Sequence, residues 1–144
     1  MIRFHNWPTR LAEYFESCRD TEFEYGVFDC VLFACGALQV MTGLHPLKFY
    51  IGKYKTAIGA ARQMKIYAGG GVREVAEKAS RSIGLKPVAP ALAKRGDMVL
   101  AVQDGVAAWG VVDLNAGFAR VVSSNEGGIG QIPLKTVTHC WSFH

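Results

Sequence analysis

From Cys30 the chain runs C-V-L-F-A-C-G-A-L-Q-V-M to Met41, with Gln39 as the one polar side chain. A helix that is apolar on every side has no face to give to water, so the rest of the chain must enclose it. The run has clear ends. Asp29 is a residue type that caps helix N-termini. Thr42-Gly43 stops the helix, because glycine takes the left-handed position after a helix at little cost, and His45-Pro46 marks a turn. A central, buried helix over 30–42 is the first requirement on the fold.

The material to enclose it is present. The chain has 144 residues, ordinary for one domain, and half of them are hydrophobic. Charged residues make up 19%, which argues against global disorder. The net charge is +4, and Arg3, Arg10, Lys48, Lys53, Lys55, Arg62, Arg81 and Lys94 are scattered. No dense basic run with interleaved aromatics stands out, so nucleic acid is not an expected partner. No stretch reaches the ~18 apolar residues of a membrane span. The start, MIRFHNWPTR, lacks the apolar core of a secretory signal, which implies synthesis in the cytoplasm without a signal peptide.

Upstream of the central helix, Asn6-Trp7-Pro8 offers a helix start, and Leu11, Tyr14, Phe15 and Cys18 recur at helical spacing. T-E-F-E-Y-G-V-F reads as a loop. Residues 55–67 form a third helix, Gly69-Gly70-Gly71 a flexible break, and V-R-E-V-A-E-K-A-S-R-S-I a fourth helix ended by Gly84. Pro87 and Pro90 mark an extended linker around Val88. After Gly96 the texture changes to short β-branched or aromatic runs: DMVLAVQ, GVAAWGVVDL, FARVVSS, GIGQIPL and THCWSFH. Turn signals at Gln103-Asp104-Gly105, Asn115-Ala116-Gly117 and 125–128 separate them. About five strands in sequence predict an antiparallel meander or small curled sheet. The expected fold is α+β and one domain, 1–144, with helices over 1–86 and a β-meander over 96–144.

Cys30 admits two readings. It is a small buried hydrophobe, or a thiol at a helix N-terminus where free N–H groups and the macrodipole favour the thiolate. A cysteine nucleophile also needs a base, normally histidine. His5 and His144 lie at the termini. His45 belongs at the far end of the helix, roughly 20 Å away. That leaves His139, on or before the last strand, as the histidine with a route to Cys30. Metal binding is not expected: Cys30 and Cys35 are turned about 140° apart on one helix, and C-x2-C spacing is absent. Cys18, Cys30, Cys35 and Cys140 read as reduced thiols, and no cofactor is implied. Cysteine count alone also permits a metal- or redox-sensing protein. Trp7, Trp109 and Trp141 read as packing residues, and Asp97 as a turn residue at the mouth of the first strand.

Together these pieces carry a resemblance. An N-terminal helix, Y-G-x-x-D-C opening an apolar helix, and R-G-D-M-V-L starting the strands resemble the NlpC-type cell-wall peptidases of the papain-like superfamily. More narrowly, the chain is similar to a family encoded among phage and prophage tail genes. The likeness rests on Trp7, Arg10, Leu11 and Tyr14, then on Tyr25, Gly26, Asp29, Cys30 and Phe33. It continues through Met41-Thr42-Gly43, Gly52 and Tyr54, Arg95-Gly96-Asp97, Gly110-Val111 and Trp141.

The resemblance implies a cysteine-bearing helix packed on an antiparallel sheet. It also implies peptidase chemistry in which Cys30 attacks an amide of a peptidoglycan stem peptide, supported by Tyr25, Gly26, Asp29 and Asp97. One departure is decisive. Where the peptidases carry histidine at the start of the second strand, this chain has Trp109, whose indole is a donor only. The third polar residue falls near Ser123 or Ser124. The expectation is therefore a tail-tip or tail-assembly protein of the virion, partnered by other tail proteins (hub, distal tail or tip), with the chemistry lost or nearly lost. The alternative is an active peptidase or amidase that opens peptidoglycan during DNA entry, with His139 as a displaced base.

Overall fold

The computed structural model describes residues 3–113, 117–122 and 129–143. Four helices come first: α1 (Trp7–Cys18), α2 (Cys30–Thr42), α3 (Ala57–Ala68) and α4 (Val72–Ser82). Six strands follow: β1 (Lys86–Val88), β2 (Met98–Gln103), β3 (Val106–Val112), β4 (Phe118–Val121), β5 (Gly130–Pro133) and β6 (Val137–Ser142). They form one antiparallel sheet in the order β1-β6-β2-β3-β4-β5. The molecule is α+β.

α2 is enclosed as its sequence demands. Val31, Leu32, Phe33, Ala34, Cys35, Ala37, Leu38 and Met41 are all buried. The Asp29 side chain accepts from the Leu32 N–H at its start, and Gly43 closes it at φ +84°. The last turn of a helix leaves carbonyls without intrahelical partners. Here Arg10 Nε donates to the Val40 carbonyl at 2.5 Å, and the Phe4 N–H donates to that of Met41 at 2.8 Å. The arginine also brings positive charge to the negative end of the helix.

The other residues of the W-x-x-R-L-x-x-Y opening have comparable roles. Leu11 is fully buried. Tyr14 Oη donates to the Phe33 carbonyl at 2.9 Å, so α1 is bonded to the side of α2. The two helices are so close there that a Cβ on Gly36 would lie 2.1 Å from Tyr14 Oη. Trp7 covers Gly96 with no room for a side chain, and the Arg3 guanidinium stacks on its ring at 3.9 Å.

The sheet is buried on both faces. Met98, Leu100, Trp109, Val111 and Trp141 join the α2 core on one face. Val99, Ala101, Val112, Ala119, Val137 and Cys140 form a second cluster on the other, flanked by Val88, Ala93, Ile132 and Leu134. Two expectations need correction. The extended linker around Val88 is a strand, β1, at the sheet edge against β6, where Pro87 has no ladder bond to lose. The sheet is also not a plain meander, because β6 returns past β3, β4 and β5 to lie between β1 and β2. The expected turns at 115–116 and 125–128, together with Ser123, Ser124 and His144, lie outside the described residues.

Asp97 anchors that return. It is 1% exposed. Its carboxylate accepts from the Lys94 N–H at 3.0 Å and from Ser142 Oγ on β6 at 3.1 Å. Asp97 is thus a turn residue that also binds the last strand.

The α1–α2 contact makes a direct prediction. Alanine normally stabilises a helix interior over glycine by about 0.5–1 kcal/mol. Gly36→Ala is expected to do the reverse, costing about 1–3 kcal/mol as an overpacked contact, measured as a lowered urea midpoint with an unchanged slope.

Candidate functional site

The loop before α2 is a tight turn. Glu24 and Phe28 exchange backbone hydrogen bonds of 2.9 and 2.8 Å, and Gly26 between them has φ +81°. A side chain at 26 is excluded twice over, since its Cβ would also lie 2.2 Å from the Tyr54 carbonyl oxygen. The Gly26 carbonyl accepts from the Gly52 N–H at 2.8 Å. Asp29 is 5% exposed. One of its oxygens takes the Leu32 N–H at 3.0 Å; the other takes the Gly26 N–H at 3.0 Å and Tyr54 Oη at 2.5 Å. The Y-G-x-x-D-C stretch and the G-x-Y stretch are therefore one hydrogen-bonded unit. Tyr54 is its member that reasoning on single motifs left without a role; the signal was its spacing from Gly52.

Cys30 opens α2 and is partly exposed. It forms part of the wall of a cleft of about 650 Å³, beside Phe23, Tyr25, Asp29 and Tyr54. α3 and α4 contribute Met64 and Val72; the sheet contributes Gln103, Ala107, Gln131 and Ile132. Phe23 and Tyr25 meet edge to face at 4.7 Å on this wall. Burial is the largest influence on the Cys30 thiol and pushes its pKa up to about 11. The Asp29 charge pushes the same way, while the backbone amides of Trp109, Val31 and Cys30 itself favour the thiolate. Removal of sulfur from water outweighs the helix terminus, whose effect is typically below ~1 kcal/mol. At neutral pH the group is a thiol.

The remaining candidates are placed as follows. Trp109 lies on β3 and faces the α2 core, with its side chain fully buried and its Nε1 without a hydrogen-bond partner among the described residues. Its backbone amide, not its ring, answers the Cys30 sulfur. His139 is on β6. It pairs with Leu100 of β2, which pairs in turn with Trp109. One strand therefore separates His139 from β3, so the two backbones are about 10 Å apart. The His139 ring stacks on Trp141 at 6.1 Å, and its Nδ1 shares a hydrogen bond of 2.9 Å with Thr138 Oγ1. Trp141 in turn donates to Glu77 of α4 at 2.7 Å. His139 is not among the residues lining the Cys30 cleft. His45 accepts from the Leu47 N–H at 3.2 Å, beyond the C-terminal end of α2. Asp97 is engaged with Lys94 and Ser142 at the start of β2.

The arrangement brings Tyr25, Gly26, Asp29 and Cys30 together at one cleft and leaves His139 and Asp97 elsewhere. It can bind through an apolar, partly aromatic wall. Among the described residues with the chemistry of a base, Asp29 and Asp104 line the same cleft as Cys30, and the oxygens of Asp29 already hold three donors.

Two outcomes are expected. Tyr54→Phe removes a charge-assisted donor from a buried carboxylate and should cost about 1.5–3 kcal/mol in urea unfolding. In alkylation by iodoacetamide followed by peptide mass, Cys30 should react slowly at pH 7, with a rate still rising at pH 10. Buried Cys18, Cys35 and Cys140 should stay silent until unfolding. The raised thiol pKa also sets a sign for stability. Cys30 supports the fold fully below the unfolded thiol value near 9, and that support is lost as pH rises through 11. Chemical stability should accordingly fall on the alkaline side.

A family model described as "Domain of unknown function (DUF6950)" matches residues 2–143, and the chain belongs to that family. No curated protein matches the chain.

Proposed function

We propose that this DUF6950 member is a structural component of a phage or prophage tail, at the tip or in its assembly, built on a papain-like, NlpC-type fold that has lost its chemistry. In this reading the chain resides in the virion and packs against other tail proteins. The observation that carries it is the pairing of Cys30 with Trp109. On the strand where the peptidases keep their base, this chain has a fully buried indole, and the thiol beside it is held protonated. With its pKa pushed up to about 11, the group is a thiol and not a thiolate at pH 7. General base catalysis, typically worth ~10²–10⁴-fold, is normally supplied by histidine, and no histidine is among the described residues that line the Cys30 cleft.

The motif residues support the same reading, because each has a structural task. Arg10 ends α2, Tyr14 flanks it, Asp29 starts it, and Gly26, Gly52 and Tyr54 hold the loop in front of it. A scaffold retained with its cysteine cleft but without a histidine in it is what a tail protein descended from a cell-wall peptidase would look like.

Three measurements test this. Peptide mass spectrometry of density-purified particles from a producing strain should find the chain in the particle; its absence would overturn the tail assignment. Peptidoglycan incubated with the protein should release no more stem peptide than with Cys30→Ala. Release that depends on Cys30 would establish the peptidase reading instead. Trp109→His should place an imidazole beside the sulfur and lower the apparent pKa of Cys30 alkylation by at least about one unit, as an ion pair does. If that profile does not move in a folded variant, position 109 is not the base position and the papain-like assignment fails.

A further inference from the structure

α3 has no buried residue. Ala60, Met64, Tyr67 and Ala68 pack partly against the core. The opposite side, Ala57, Ile58, Ala61, Arg62, Lys65 and Ile66, is exposed throughout. The composition of that outward side is unusual. Ile58 is 73% exposed and Ile66 is 72% exposed. They stand about 80° apart around the helix axis with Arg62 midway between them, and Lys65 lies about 20° beyond Ile58. Neither Arg62 nor Lys65 is in an ion pair among the described residues. The segment around it is basic: from Cys30 to Ala68 the sequence contains no Asp or Glu, while Lys48, Lys53, Lys55, Arg62 and Lys65 fall within it. Phe49 and Ile51, in the loop before α3, are also about half exposed.

We propose that the outward face of α3 is a peripheral membrane-binding surface that takes an anionic phospholipid bilayer, with Ile58 and Ile66 entering the headgroup–acyl boundary and Arg62 and Lys65 pairing with phosphates. Basic residues beside exposed apolar ones suit such a boundary, because their long stems let the charge stay at headgroup level and each Lys or Arg near an anionic surface adds attraction. The occupant follows from the arrangement of charge. The centre of a protein–protein contact is depleted of Lys, yet here Lys65 stands beside Ile58 on the same face. The stripe carries no aromatic ring on which a nucleic-acid base would stack. A second copy of the chain would set basic face against basic face. The surface lies on the bilayer and does not cross it; no helix among the described residues is long and apolar enough to do so.

The test is flotation of the full chain with vesicles of phosphatidylglycerol and phosphatidylcholine, compared with phosphatidylcholine alone. The chain should float with the anionic vesicles, remain behind with the neutral ones, and lose binding roughly tenfold or more on raising salt from about 0.05 to 0.5 M, as screened surface charge requires. Ile58→Ser/Ile66→Ser and, separately, Arg62→Gln/Lys65→Gln should each reduce the floated fraction at least tenfold. Both change only exposed side chains, and an unchanged circular dichroism melt verifies the fold. Three results would overturn the proposal: no flotation with anionic vesicles, flotation unaffected by both double variants, or retention on immobilised poly-glutamate without flotation. The last of these would make the partner an acidic protein.

Discussion

A carboxylate taken out of water is costly unless its oxygens are answered. Asp29 meets that condition through groups from three segments of the chain. It takes an amide of its own helix, an amide of the turn before it and a phenol from residue 54. Those donors cannot reach it unless the loop is folded back with φ positive at Gly26, and the loop cannot fold back unless the segment around Gly52 lies against it. The position of Cys30, and the cleft beside it, follow from this one satisfied charge.

The same geometry accounts for the state of the thiol. A helix N-terminus can lower the pKa of a cysteine, and three backbone amides do act on Cys30 in that direction. Yet Asp29, the residue that starts the helix, adds a negative charge that disfavours the thiolate, and burial of the sulfur acts more strongly in the same direction. A cap that is excellent for the helix is poor for a nucleophile unless a cation stands opposite. In this molecule no Lys, Arg or His is among the described residues lining the cleft.

The α2 helix could be read from its composition, because twelve nearly uninterrupted apolar residues leave a chain one choice. Helix ends at Asp29 and Gly43 were equally legible, since caps are local chemistry. Strand positions from Met98 onward were legible from turn residues. Sheet order was not: nothing local in T-H-C-W-S marks β6 as an inner strand, and its place depends on Asp97 holding Ser142 across 45 residues of chain. Lys86-Pro87-Val88 read as linker because proline is rare inside sheets, and only the edge position reconciles the two. At the site, Asp29 and Cys30 were found by type and spacing. Tyr54 was visible as part of a G-x-Y motif, but its bond to Asp29 was not, because a hydrogen bond between residues 25 apart has no periodicity. His139 drew attention as a histidine near a strand; its distance from the cleft is set by strand order, which the sequence does not display.

The insertion of β6 between β1 and β2 bears on how the chain folds. Its residues 137–142 pair with 86–88 on one side and 98–101 on the other. Until they arrive, β2 has an open edge and the Asp97 carboxylate lacks its hydroxyl partner. During synthesis the helices and the β2–β5 ribbon emerge first and must wait with some of their apolar surface uncovered. Long-range pairing of this kind slows folding and prolongs exposure to aggregation. The nascent protein is therefore most vulnerable just before its last strand leaves the ribosome, which is when a chaperone or an assembly partner would find the most to hold.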